Sequence, residues 1–178
     1  FPEHAASLPW LGQQVHGAAA SGRGHDGRPV VLNLFAYTGL ASLALARDGA
    51  SVVHVDAARP SVAWARHNAG LNRLEAAPIR WLVDEAAAFC ARELRRGRQY
   101  DGIVLDPPTY GHGTGGQAWH LEPHLPELLA MCGRLSGGDG FMLLTAHTRD
   151  HGPDRLADLL ATATSRPPSA VEAGLLEL

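Results

Sequence analysis

From Val30 onward, short continuous apolar runs alternate with stretches whose apolar residues recur at helical spacing. The runs predict strands over 30–34, 51–55, 79–83, 102–105, 141–145 and 171–178, and the spaced stretches predict helices over 40–47, 60–71, 85–96, 121–135 and 153–164. Pro60 and Pro153 suit first-turn positions. Ahead of the first strand, residues 4–20 place Ala5, Leu8, Leu11, Val15 and Ala18 on one helical face, with Pro9 as an interruption. Leu121, Leu125, Leu128, Cys132 and Leu135 form a single apolar stripe that reads as core. Apolar strands separated by helices predict an α/β fold: a three-layer sandwich around a mostly parallel sheet buried on both faces. Residues 1–28 read as a helix and Gly-rich linker leading into a domain over 29–178. The run at 171–178 has no turn or partner after it, so the domain is expected to be truncated before its last strand.

Composition narrows the picture. A chain of 178 residues, 46% hydrophobic, fits one globular domain. No stretch approaches the roughly 18–20 apolar residues of a membrane span, and Phe1-Pro2-Glu3-His4 does not resemble a secretory leader. Cys90 and Cys132 lack disulfide or metal-ligand patterning, so buried thiols in a cytoplasmic protein are expected. All 15 basic residues are Arg, yet the net charge is −3. A polyanionic partner therefore needs a local Arg patch or another domain. Gly22, Gly24 and Gly27 spell G-x-G-x-x-G, but they precede the first strand rather than follow it, so they read as linker.

Four segments fall at successive strand ends, where open α/β sheets bind ligands. Asn33 to Gly39 closes the first strand in a small turn; Gly39 permits close backbone approach, and the next helix offers unpaired N–H groups. Asp56 ends Val52-Val53-His54-Val55, where a carboxylate can accept from both hydroxyls of a ribose or can cap the next helix. Asp84 follows Trp81-Leu82-Val83 and can serve an adenine amino group or a helix start. Asp106-Pro107-Pro108-Thr109-Tyr110 ends the fourth strand. Its prolines remove donors and leave acceptors, and Tyr110 supplies a flat face for a planar substrate.

Two weaker constellations remain. His120 and His124 stand at i and i+4, a spacing that can bind Zn²⁺, but Pro123 and the lack of a third ligand argue against it, and no metal is expected. Arg92, Arg95, Arg96 and Arg98 read as a solvated helix end, with RNA-phosphate contact as the alternative.

On these residues the chain resembles class I S-adenosylmethionine-dependent methyltransferases, more narrowly the bacterial branch that contains large-subunit ribosomal RNA methyltransferases. Asn33-Leu34-Phe35-Ala36-Tyr37-Thr38-Gly39, His54-Val55-Asp56 and Leu105-Asp106-Pro107-Pro108 are similar to that branch's first, second and fourth motifs. Trp64-Ala65-Arg66-His67-Asn68 and Arg80-Trp81-Leu82-Val83-Asp84 are similar to its intervening segments. The resemblance implies a Rossmann-like seven-stranded sheet with one antiparallel strand, S-adenosyl-L-methionine as cofactor, and ribosomal RNA as substrate. It implies Asn33, Phe35, Tyr37, Thr38 and Gly39 around the methionine part, Asp56 and Ala57 on the ribose, and Asp84 near adenine. Asp106 then borders the donor and, with Pro107, Pro108 and Tyr110, forms the acceptor site. The segment after Pro108 carries no Cys until Cys132, so a nitrogen acceptor is expected over cytosine carbon-5. The competing readings are methylation of a protein or small molecule, a non-catalytic RNA-binding module, and a nicotinamide oxidoreductase, for which one glycine after the first strand is too few.

Overall fold

The structure, a computed structural model, describes residues 2–24, 26–112, 118–148 and 152–175. Five strands form the central sheet: β1 (Val30–Leu34), β2 (Ser51–Asp56), β3 (Ile79–Val83), β4 (Tyr100–Leu105) and β7 (Ser136–Leu144). Their order is β3-β2-β1-β4-β7, and every neighbouring pair is parallel. Helices α2 (Leu40–Arg47), α3 (Arg59–Leu71) and α4 (Ala86–Arg95) connect the first four strands, and α5 (Leu121–Leu135) leads into β7. Two short strands, β5 (Tyr110–His112) and β6 (Ala118–His120), pair antiparallel as a hairpin that the sequence pattern does not predict. Its tip, residues 113–117, lies outside the described residues.

Alternating strand residues feed two cores. Leu32, Leu34, Val55, Ile103 and Leu105 face Phe89 and Cys90 of α4 and the Leu121, Leu125, Leu128, Cys132 and Leu135 stripe of α5. Val31, Val52, Val104 and Phe141 face the other way, onto Leu45 of α2 and onto Leu11 and Val15 of α1 (Leu8–Ala20). Pro9 sits in the first turn of α1 and does not break it, because a 3-10 turn, Pro2–Ser7, precedes the helix. The Phe141 ring lies on Gly102 so closely that a Cβ there would meet it at 2.2 Å.

Of the expected strand over 171–178, residues 171–175 carry no ladder, and 176–178 lie outside the described residues. Among the described residues, no strand pairs with this tail. Helix α6 (Pro153–Thr164) ends in a left-handed Ser165 at φ 54°, and Pro167 and Pro168 then remove two backbone donors. Arg166, at the same bend, donates to the carbonyls of Gly138 (2.7 Å) and Gly140 (2.8 Å) on β7. No described helix is long and apolar enough to cross a membrane.

A buried polar chain joins β1, α2 and β2. Asn33 Nδ2 donates to Ser42 Oγ at 2.8 Å, and Ser42 Oγ meets His54 Nδ1 at 2.9 Å, while His54 Nε2 is buried with no hydrogen-bond partner. Burial first, and then the Arg66 charge, lowers the His54 pKa from 6.5 to about 4. The folded protein therefore holds His54 neutral, whereas the unfolded chain takes up a proton below pH 6.5. This contribution to stability is present above that pH and is lost as pH falls toward 4. Urea unfolding should show it, with a loss on the order of 3 kcal/mol across the window; in His54→Gln that part of the pH dependence should vanish.

Candidate active site

The carboxyl ends of β1, β2 and β4 meet where the strand order reverses, since β2 lies on one side of β1 and β4 on the other. A cavity of about 690 Å³ opens at this edge. Phe35 and Tyr37 after β1, Asp56 and Ala57 after β2, Glu85 to Ala87 at the start of α4, and Asp106 to Thr109 after β4 form its wall. Trp119, Leu128 and Met131 close the remaining side.

Asp56 organises this edge. Its Oδ2 accepts from the Tyr37 N–H and its Oδ1 from the Ala58 N–H, each at 2.8 Å. The ribose and helix-start readings of Asp56 are thus compatible, because each carboxylate oxygen keeps a second lone pair for the cavity. The turn it holds is strained: Phe35 (φ 54°) and Tyr37 (φ 46°) both adopt left-handed backbone, at about 1–3 kcal/mol each. Gly39, at φ 91°, has a different necessity from close ligand approach. A Cβ there would stand 3.0 Å from the Ala65 Cβ of α3. Asn68 of α3 donates to the Thr38 carbonyl at 2.9 Å. Asn33, Thr38 and Gly39 are outside the main wall and border a smaller cleft behind it.

Asp84 lies beside the cavity rather than in its wall. It accepts from the Arg92 guanidinium and from the Glu85 N–H (2.9 Å), so the wall at this point is Glu85, Ala86 and Ala87. Two of the four clustered arginines are therefore spent within the fold, Arg92 on Asp84 and Arg96 on Glu93 (2.8 Å).

At the β4 end, Thr145 Oγ1 donates to Asp106 Oδ1 at 2.5 Å. Tyr110 belongs to the hairpin, 72% exposed and edge-on to His120 at 5.2 Å, and is not part of the cavity wall. The aromatic surface inside is Trp119, which sequence reasoning does not single out. Its ring centroid is 5.0 Å from that of Phe35, and its Nε1–H donates to the Pro108 carbonyl at 2.7 Å. Only the hairpin brings it there, so no local pattern signals it. His124 Nδ1 faces the backbone of His120, 3.0 Å from its N and 2.8 Å from its O. Cys132 is buried, and its hydrogen bond with Cys90, then burial, push its thiol up, so it is no nucleophile for the cavity.

Residues 11–168 match the S-adenosylmethionine-dependent methyltransferase family. The chain belongs to that family. The chain is 40% identical over 129 residues to ribosomal RNA large subunit methyltransferase K/L of Shewanella sp. (strain MR-4), covering 67% of this chain and 17% of that protein. It is 43% identical over 83 residues to the protein of the same name from Chromohalobacter salexigens, covering 46% and 11%. Among solved structures, the SAM-dependent methyltransferase from Agrobacterium tumefaciens superposes with a TM-score of 0.84 at 40% identity, over 93% of this chain and 51% of that one. The SMU.776 structure, complexed with SAH, shares the fold at a TM-score of 0.75 and 21% identity, over 92% and 40%. The chain thus spans a small part of the matched ribosomal RNA enzymes and about half of the Agrobacterium protein.

S-adenosylmethionine is the methyltransferase cofactor, and the cavity suits it. Its volume falls in the range of about 300–1,000 Å³ usual for small-molecule sites. Its wall is largely apolar, and of its four acidic residues, Asp56, Glu85, Asp106 and Glu127, the Asp56 and Asp106 carboxylates at the strand ends suit ribose hydroxyls and a sulfonium cation. Asp56→Ala should remove a charged hydrogen bond and two loop anchors, lowering donor affinity about 10- to 100-fold by calorimetry. Unchanged affinity would remove Asp56 from the binding site.

Proposed function

We propose that this methyltransferase transfers a methyl group to a base nitrogen of ribosomal RNA. The observation that carries the reading is the wall after β4, where the Asp106 carboxylate and the Pro107-Pro108 backbone stand opposite Phe35 and beside Trp119. That wall offers acceptors and an aromatic surface without a nucleophilic thiol, which favours an exocyclic amine over cytosine carbon-5. The names of the Shewanella and Chromohalobacter relatives support ribosomal RNA as the source of the base, and the cytoplasm as the setting.

The donor supplies an activated methyl whose S–C bond breaks as the N–C bond forms, leaving S-adenosylhomocysteine. The chain's own residues align and select. Phe35, Tyr37 and Gly39 shape the turn for the methionine part, Asn33 and Thr38 brace it from behind, and Asp56 with Ala57 takes the ribose. Asp84, through the start of α4, positions Glu85 to Ala87 around the adenine. Asp106 accepts a hydrogen from the amine and aims its lone pair, a pose that contributes about 7–11 kcal/mol when fully formed. Trp119 takes one lone pair of the Pro108 carbonyl, so the Pro107 carbonyl is the less encumbered second acceptor for the amine. A base in folded RNA must be flipped out to reach this wall, and exposed Tyr110 at the rim stacks on the RNA as it enters.

The test is methyl incorporation from labelled donor into ribosomal RNA taken from a strain lacking the gene. Asp106→Ala should cut transfer at least about 100-fold, the usual scale for a positioned polar group, with donor affinity changed less than about tenfold. Substantial residual turnover would overturn the role given to Asp106, and RNA binding without any methyl incorporation would favour a non-catalytic module.

A further inference from the structure

Three side chains that are distant in sequence meet beside the acceptor wall. His4 comes from the turn Pro2–Ser7, Asp106 from the end of β4, and His147 from the segment after β7. His4 Nε2 and His147 Nε2 are 3.1 Å apart. Asp106 spans them, its Oδ2 3.5 Å from His4 Nε2 and its Oδ1 3.6 Å from His147 Nε2. All three carry solvent exposure, from 18% at His4 to 44% at His147, which leaves an entry path.

One shared proton can bridge the two Nε2 atoms, whose rings lie 9° apart with centroids at 5.4 Å. It leaves both Asp106 contacts, at 3.5 and 3.6 Å, longer than ordinary hydrogen bonds. One cation draws on all three groups. Ligands held at about 2.0–2.2 Å by a tetrahedral Zn²⁺ stand about 3.3–3.6 Å apart. The two Nε2 atoms are 3.1 Å apart, each lies 3.5–3.6 Å from a different Asp106 oxygen, and one ligand atom from each residue falls within 4.8 Å of the others. Supporting bonds are in place: Thr145 Oγ1 donates to Asp106, and Thr109 Oγ1 donates to the His147 carbonyl at 2.8 Å. Asp106 and His147 also border the main cavity. We infer that His4, Asp106 and His147 form a three-ligand site for a borderline divalent cation of the Zn²⁺ type, with its open position toward the acceptor cavity.

Zinc titration of tag-free protein by calorimetry, with Co²⁺ ligand-field absorption as the coordination readout, tests the site. One Zn²⁺ per chain is expected. His4→Ala and His147→Gln should each weaken it at least about tenfold, and His124→Ala at the neighbouring histidine pair should not. Circular dichroism establishes that each variant is folded. If the folded wild type takes up no metal, the contact is an imidazole pair sharing one proton and the inference is wrong. Zinc affinity indifferent to His4 and His147 places the metal elsewhere and is equally fatal. Occupancy of Asp106 should also make Zn²⁺ compete with the methyl acceptor. That inhibition rests on the proposed function, whereas the metal titration does not.

Discussion

The two hydrogen bonds accepted by Asp56 connect the end of β2 to the turn after β1 and to the start of α3. Together with the Ala36 N–H bond to the Val55 carbonyl (3.1 Å) and the Asn68 bond to the Thr38 carbonyl, they brace the turn in which Phe35 and Tyr37 adopt left-handed backbone, a conformation that bulky residues avoid. The Asp56 carboxylate also lines the cavity, so the group that shapes the proposed donor site is part of its wall. Order in this region depends on the parallel pairing of β1 with β2, which brings residues 37 and 56 together from opposite ends of a crossover.

On the far side of the switch in strand order, the proposed acceptor wall is built differently. It depends on β4 for Asp106 and on a small hairpin for Trp119, whose ring closes against Phe35 and takes up the Pro108 carbonyl. The proposed donor and acceptor walls therefore share Phe35, one residue after β1. The thiol pair Cys90 and Cys132 lies in the core between α4 and α5, away from the cavity lining.

Much of this was readable from the chain because parallel strands buried on both faces leave a strong local signature. The runs containing Val31 and Leu32, Val52 and Val55, and Ile103 and Leu105 all became sheet, with alternate residues feeding opposite cores. Strand-end carboxylates were legible for the same reason, since a polar residue closing an apolar run has few other places to go. What stayed hidden depended on contacts between distant segments. The β5–β6 hairpin is three residues per strand around a Gly-rich tip, too short for periodicity to register, so the sequence offers Tyr110 as the stacking face and gives no sign of Trp119 in the cavity lining. The sequence shows that Gly39 permits close approach, but not that Ala65 of another helix limits its size. The tail after α6 has strand-like residues, but among the described residues no strand pairs with it. His4 gave no local signal, because its partners lie more than a hundred residues away.

The bend after α6 has a wider consequence through Arg166. A sheet's outermost strand ordinarily offers unpaired carbonyls as a template for a foreign strand. On β7, two of these acceptors are already engaged by a guanidinium, a group that donates and cannot accept in return. An intruding strand that reaches this stretch must displace a charged, multiply bonded side chain before its own amides find a partner. Among the described residues, this side chain thus occupies two acceptors on one of the sheet's two outer strands.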